Sequence, residues 1–270
     1  MTAVKTNNNS ACNTLCFTID SGIATITLNR AEHGNALNMD MVRCFSETVN
    51  QIVNNPSVRV ILLTGNGKNF CVGGDINSFI EEKDKLPDFV ASITEPLHDA
   101  LVQLETVNLP IVSALNGPIG GAGIGLALIA DFVLAAESMK FRCGYTAIGL
   151  SPDAGSSWLL ANRVGTFRAK QLFLSNSTLD AQACLNLGII DEIYPDSELL
   201  AQAQSLAVEL RNGSAKAQSN VKRLLDHSIL QRTFKNHLDL ERSLIIQSAG
   251  EKDVQEGILA FTEKRKASFS

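Results

Sequence analysis

The sequence predicts an α/β fold built on parallel strands, from three observations. Apolar stretches of strand period alternate with stretches of helical period over the first two thirds, glycine turns follow the apolar strands, and strand signal fades from about Ser197. Ile23-Ala24-Thr25-Ile26-Thr27-Leu28 alternates with period two and reads as a strand. Val42, Phe45, Val49, Ile52 and Val53 then recur at helical spacing, with Asn38 as N-cap, Asp40 in the first turn and Asn54-Asn55-Pro56 as the stop. Val58 to Leu63 is a short apolar run closed by Thr64-Gly65-Asn66-Gly67, a second strand. Leu97, Leu101, Leu104 and Val107 form a helical stripe, and Ile111-Val112-Ser113-Ala114 a strand that leads into a glycine turn. Gly123 to Ala130 reads as a small-residue helix, Phe132-Val133-Leu134-Ala135 as a strand and Ser156 to Val164 as a helix. Strand–helix–strand repeats of this kind imply right-handed crossovers. The last helical piece, Asp253 to Phe269, puts Val254, Ile258 and Phe261 on one face and gathers Lys264, Arg265 and Lys266 at its end, where cations complement the helix dipole.

Length and composition narrow the function. A chain of 270 residues that is 45% hydrophobic can bury a sizeable core. A net charge of -5 and a pI near 5.4 offer no general field for a polyanion, which argues against nucleic acid as partner. The six cysteines are scattered, with no C-x-x-C pair and no His at zinc-ligand spacing, so no metal site is expected, and reduced thiols of a cytoplasmic protein fit best. Met1 to Thr14 is polar, lacks the apolar run of a signal peptide and reads as a flexible tail. Pro110 to Ala136 is long and nearly uncharged, but five glycines between Gly117 and Gly125, with Pro118 and Asp131, suit a strand, a turn and a buried helix better than a membrane span. No membrane partner is expected.

Two glycine-bearing turns each follow an apolar strand: Phe70-Cys71-Val72-Gly73-Gly74-Asp75-Ile76 and Asn116-Gly117-Pro118-Ile119-Gly120-Gly121-Ala122-Gly123. A turn that leads into a helix leaves its first N–H groups unpaired and can stabilise an oxyanion without a charged side chain. Such turns also serve tight packing alone, and Gly121-Ala122-Gly123-Ile124-Gly125 lacks the Lys-Ser/Thr ending of a phosphate loop.

Five motifs in order carry a resemblance. They are Thr27-Leu28-Asn29-Arg30 with Asn35-Ala36-Leu37-Asn38, Phe70 to Ile76, Asn116 to Asp131, Ile148 to Gly155, and Glu256-Gly257 with Phe261-Thr262-Glu263-Lys264-Arg265. On these the sequence resembles the enoyl-CoA hydratase/isomerase, or crotonase, superfamily from about Leu15 to Phe269. The resemblance implies an α/β spiral of repeated ββα units over residues 15–196. It also implies a C-terminal helical region over 197–270 that packs at the contacts of a homotrimer or dimer of trimers. The implied ligand is an acyl-CoA thioester, with coenzyme A entering as part of the substrate and no permanently bound cofactor. Carried over by position, Gly74 and Ala122 form the oxyanion hole. Ala36, Asp75, Ile76 and Asn77 lie along the coenzyme, and Phe261 and Lys264 touch its nucleotide end, often from a neighbouring subunit.

The departures from the family pattern are informative. The two glutamates with which hydratases of the family act on water align with Gly125 and Tyr145. Glycine has no side chain, and a tyrosine of ordinary pKa near 10 is a poor base at neutral pH. Asp153 aligns instead with the carboxylate of Δ3-Δ2 enoyl-CoA isomerases, where one base suffices to move a proton from C2 to C4. Ser151-Pro152-Asp153 is also a good helix start, so capping is a competing role for Asp153. His98 aligns with a histidine of 4-chlorobenzoyl-CoA dehalogenase, in which Asp153 matches the nucleophile and Tyr145 stands where that enzyme has Trp. A lone His on a helix is more often a packing residue, and His33, His227 and His237 have no assigned partner. Three readings follow: an enoyl-CoA isomerase, an atypical hydratase or aryl-CoA hydrolase, and a non-catalytic acyl-CoA-binding protein. The order of the segment from Ser78 to Thr94, and with it the acyl chain accepted, is left open.

Overall fold

The computed structural model describes residues 12–228, 233–265 and 267. The expected tail before Cys12, together with Lys266 and Phe269, lies outside the described residues, as does the side chain of His227. Residues 12–14 of that tail are tied down. Cys12 is disulfide-bonded to Cys44, and the amide of Asn29 donates to Thr14 O at 2.9 Å. The expectation of six reduced thiols is thereby corrected. The pairing joins residues 32 apart through tertiary proximity, which spacing alone does not encode.

β1 (Leu15–Asp20) and β2 (Ile23–Leu28) form an antiparallel hairpin. α1 (Met39–Val53) follows, capped by Asn38, whose side chain accepts from Met41 N, and it leads to β3 (Val60–Gly65). The segment left open from Ser78 is helical: α2 (Ile76–Glu81), a 3-10 turn, then α3 (Leu86–Thr106), which runs straight through Pro96. Next come β4 (Ile111–Leu115), the two-residue β5 (Ile119–Gly120), α4 (Gly123–Leu128), β6 (Phe132–Ala136) and β7 (Lys140–Arg142). A 3-10 turn at Tyr145–Ile148 precedes α5 (Ser156–Val164) and α6 (Thr166–Ser175). β8 (Leu179–Asp180), α7 (Ala181–Asn186) and β9 (Glu192–Tyr194) close the strand-bearing part. Among the described residues four helices follow: α8 (Leu199–Asn212), α9 (Ala215–Ser228), α10 (Phe234–Ala249) and α11 (Lys252–Thr262). α11 ends short of the expected Phe269, in a turn where Lys264 takes a φ of 53°.

The main sheet has the order β1-β2-β3-β4-β6-β9 and is parallel from β2 onward, with Ile23 opposite Val60, Ile61 opposite Ile111 and Val112 opposite Phe132. Its central strands read as unbroken apolar runs because both faces are covered. Ile61, Leu63 and Ile111 face the apolar stripes of α1 and α3, while Val60, Leu62, Val112, Ala114 and Leu134 face Leu199, Ala203 and Ala207 of α8. Alongside runs a second layer of short pairings: Leu37 with Gly74, Cys71 with Ile119, Ile119 with Phe141 and Phe141 with Leu179. Each circuit therefore places one strand in each layer before a helix returns the chain, the ββα spiral implied by the resemblance. The nearly uncharged stretch from Pro110 resolves into β4, β5, α4 and β6, and among the described residues no helix is long and apolar enough to cross a membrane.

Candidate active site

Where the second layer meets the helices, the two glycine turns open into one cavity of about 1390 Å³. Gly74 is held by a parallel bridge: Leu37 N donates to Gly73 O at 2.7 Å, and Asp75 N donates to Leu37 O at 3.0 Å. Both bonds use the neighbours of Gly74, so its own N–H faces the opposite side, where Gly74 lines the cavity. Ala122 stands immediately before α4, where a helix leaves its leading N–H groups without intrahelical partners, and it lines the same wall. The turns touch backbone to backbone. Gly73 has a φ of 109°, and a Cβ there would lie 3.1 Å from Gly120 O and 3.5 Å from Ala122 N. Only glycine allows this approach, which brings the amides of residues 74 and 122 onto adjacent turns.

The loop beyond Gly74 is fixed by a carboxylate. Asp75 is buried; its Oδ1 accepts from Asn77 N at 3.0 Å to cap α2, and its Oδ2 accepts from Arg30 Nη2 at 2.8 Å. Arg30 also donates to Ala36 O at 2.5 Å, which ties the turn after β2 to the same loop. Buried Asn35, at a φ of 55°, completes the tie by accepting from Arg30 N and donating to Asn66 O and Asn69 O. Ala36, Asp75, Ile76 and Asn77 all line the cavity, although the Asp75 carboxylate is spent on the loop itself. Phe261 and Lys264 reach the cavity mouth from this same chain, with Phe261 exposed although its sequence face otherwise buries Val254 and Ile258. Lys140 and Arg142 of β7 add positive charge to the lining.

At the acid end, three expected residues converge. Asp153 lines the cavity, is only 3% exposed, and its Oδ1 lies 2.8 Å from His98 Nε2. Among the described residues nothing hydrogen-bonds its other carboxylate oxygen. His98 is buried in α3 and does not itself line the cavity, so it acts on the site through Asp153. The Tyr145 hydroxyl donates to the backbone O of Asp153 at 3.0 Å. Burial, and then the nearby Asp153 carboxylate, push that hydroxyl well above its ordinary pKa, which keeps it a neutral donor. The capping role weighed for Asp153 is corrected by this geometry. α5 begins at Ser156 after Gly155, and Asp153 contributes only its backbone carbonyl, which accepts from Ser156 N at 3.0 Å.

Gly125, one of the two positions where the family's glutamates stand, is closed to any side chain. A Cβ there would lie 1.9 Å from Ala154 O. The turn that carries Asp153 has occupied the niche, with Ala154 and Gly155 both in the left-handed region at φ of 54° and 69°. Around the acid the walls are aliphatic: Val90, Ile93 and Leu97 of α3, Ile148 and Leu150 after β7, and Ile245 of α10. Sequence reasoning used Arg30 only as part of a motif, without a role in the site, and passed over Ile245 and Glu241. The last is buried on α10, and its carboxylate accepts from Gly155 N and Ser157 N. Of the remaining histidines, His33 lines the mouth and His237 pairs with Ser157 Oγ at 2.8 Å.

Comparison with known proteins finds relatives along nearly the whole chain. The enoyl-CoA hydratase/isomerase family model matches residues 18–270. The 1,2-epoxyphenylacetyl-CoA isomerase of Escherichia coli K12 is 33% identical over 93% of this chain and 96% of its own length. A probable enoyl-CoA hydratase of Rhodobacter capsulatus is 35% identical over 95% and 98%. The trans-2-decenoyl-[acyl-carrier-protein] isomerase of Streptococcus mutans is 30% identical over 95% and 97%. Among solved structures, an enoyl-CoA hydratase from Mycobacterium avium subsp. paratuberculosis K-10 superposes with a TM-score of 0.86 at 27% identity, covering 96% of this chain and 99% of that one.

Proposed function

Because this chain belongs to the enoyl-CoA hydratase/isomerase family, we propose that it shifts the double bond of an enoyl-CoA, with Asp153 as the one proton carrier. The observation that carries the reading is a cavity-lining, buried carboxylate beside a niche at Gly125 that admits no second acid. The thioester carbonyl sits between the N–H groups of Gly74 and Ala122, which stabilise charge as it develops on oxygen; each such donor is worth about 3 kcal/mol of barrier. Asp153 takes a proton from C2 of a 3-enoyl-CoA. The C2 electron pair delocalises onto the carbonyl oxygen through C1 and into the conjugated C3=C4 bond, giving a dienolate that is nucleophilic at C4. The carboxylic acid then returns the proton at C4, leaving a 2-enoyl-CoA and a regenerated carboxylate. His98, bonded to Asp153 Oδ1, holds the carboxyl in place throughout.

Two of the relatives carry isomerase names, which accords with this reading, while the hydratase name of another makes water addition the rival. The aliphatic walls favour an alkenyl chain over a polar acyl group. On the same reading the protein acts in the cytoplasm as a homotrimer or dimer of trimers, in which the exposed Leu244, Leu259 and Phe261 gain cover. Light scattering of the purified protein tests the assembly. The reaction is tested with 3-hexenoyl-CoA in deuterated water, followed by mass spectrometry and NMR. The product is a 2-enoyl-CoA without the added mass of water, and exchange is confined to C2 and C4. A hydrated product, or isomerisation that survives Asp153→Asn, defeats the proposal.

A further inference from the structure

We infer that Glu241 is a positioning residue for Asp153, reaching from the C-terminal helix α10 to hold the turn that carries the acid. The inference rests on the role proposed above for Asp153. Three observations converge on it. The turn at 154–155 has two consecutive residues in the left-handed region, and Ala154 has a side chain that disfavours it. Such a turn persists only where its surroundings over-determine it. Ala154 O presses into the niche at Gly125 from one side. From the other side comes Glu241, only 4% exposed: its Oε2 accepts from Gly155 N at 2.5 Å, and its Oε1 accepts from Ser157 N at 3.3 Å and Ser157 Oγ at 2.6 Å.

α5 has no cap from its own segment, since Gly155 offers no side chain. Its leading amides are met instead by a carboxylate from 84 residues further on. His237, one turn earlier on α10, braces the arrangement: its Nε2 lies 2.8 Å from Ser157 Oγ and 3.5 Å from Glu241 Oε1, and its ring lies 5.1 Å from that of Trp158. Phe234, at the start of α10, closes the remaining space, for a Cβ on Gly155 would fall 2.8 Å from its ring. Asp153 is thus clamped between α4 and α10, and α10 also lends Ile245 to the cavity wall. Glu241 touches the loop and the helix end, and it does not line the cavity.

A positioning role separates from a merely structural one through kinetics on two backgrounds. Isomerisation of 3-hexenoyl-CoA is measured for the wild type, Glu241→Ala, Glu241→Gln, Asp153→Asn and the double variant Asp153→Asn/Glu241→Ala. The expected loss of kcat in Glu241→Ala is about 10- to 100-fold, the consequence of misplacing a reacting group by up to an ångström, with KM moved less than about threefold. Glu241→Gln, whose amide oxygen still accepts from Gly155 N, recovers most of that loss. On the Asp153→Asn background the same change removes no more than about a further twofold, because two residues acting through one group are not additive. Hydrogen exchange of the substrate-free protein gives a readout independent of any reaction: the Gly155 amide exchanges at least about tenfold faster in Glu241→Ala. Wild-type kcat in that variant, an equal loss on both backgrounds, or unchanged Gly155 exchange each overturns the inference. If Glu241→Ala does not fold, Glu241→Asp, one methylene too short to reach, carries the same expectations. A wild type that does not isomerise 3-hexenoyl-CoA defeats the reaction assignment, while the exchange comparison still judges Glu241.

Discussion

Gly125→Ala is the smallest change that tests whether the niche beside Asp153 is filled. The added Cβ would stand 1.9 Å from Ala154 O and 3.0 Å from its carbonyl carbon. Carbon–oxygen contacts below 3.0 Å are not sustained, so the 154–155 turn must retreat by at least about 1 Å. Overpacking of this kind costs about 1–3 kcal/mol of stability. Asp153 is covalently next to the displaced carbonyl, and a shift of that size at a reacting group costs about 100-fold in rate, or roughly 2.7 kcal/mol of barrier. Urea unfolding followed through Trp158, the one tryptophan of the chain, reports the first quantity. Initial rates on 3-hexenoyl-CoA report the second, and KM should hold because the residues proposed to line the coenzyme, Ala36, Asp75, Ile76 and Asn77, sit on other turns. Gly125→Glu should fail in the same way, with no gain of water addition. A Gly125→Ala protein with wild-type kcat and stability would mean that the niche is vacant and that the account of the acid end is wrong.

Other outcomes follow from the same geometry. Asp153→Asn should lower kcat by about 100- to 10,000-fold, the range for loss of a general acid–base group, with acyl-CoA binding by calorimetry retained. His98→Ala removes the 2.8 Å bond to a buried carboxylate and should cost about 1–3 kcal/mol in urea unfolding as well as reducing kcat. Burial pushes the thiols of Cys71, Cys143 and Cys184 up to about 12 from an ordinary 9.0, whereas Cys16 is exposed, so a thiol reagent at pH 8 should label Cys16 and reach the other three only after unfolding. The sign of the linkage is fixed by the raised values: these thiols favour the folded state fully below pH 9, and that contribution is lost as pH climbs toward 12. The urea midpoint should fall over that window and fall less steeply in Cys184→Ala. Reduction of the Cys12–Cys44 bridge, which closes 32 residues, should cost about 3–4 kcal/mol on the chain-entropy account, and Cys44→Ser should match the reduced protein.

Much of this was legible in residues whose local chemistry and tertiary environment agree. α1 is found at its Asn38 cap and its stop because the apolar stripe, the cap and the breaker all speak for one helix. The central strands are found because burial on both faces leaves an apolar run. Strands of two or three residues, such as β5, β7 and β8, are too short to carry a period and exist only through their partners. Pro96 hides the first half of α3, since proline usually marks a boundary, and here the helix absorbs the lost hydrogen bond. In the site, Gly74, Ala122 and Asp153 could be placed by motif, but the partnership of His98 with Asp153 spans 55 residues and weighs little from one sequence. Glu241 did leave a trace: Phe234, Leu238, Ile245 and Ala249 bury one stripe of α10, and an acid interrupts it. A charge on an apolar face asks for a buried partner.

The wall and the clamp that α10 contributes also bear on biosynthesis. As the polypeptide leaves the ribosome, the strands and the glycine turns can assemble while the chain is still growing, with Asp153 already present. Ile245 and Glu241 come after every strand and glycine turn in chain order, so a nascent chain that has reached only β9 has a half-walled, slack pocket. Competence waits on α10, and a product that stops before it would be folded in part and idle.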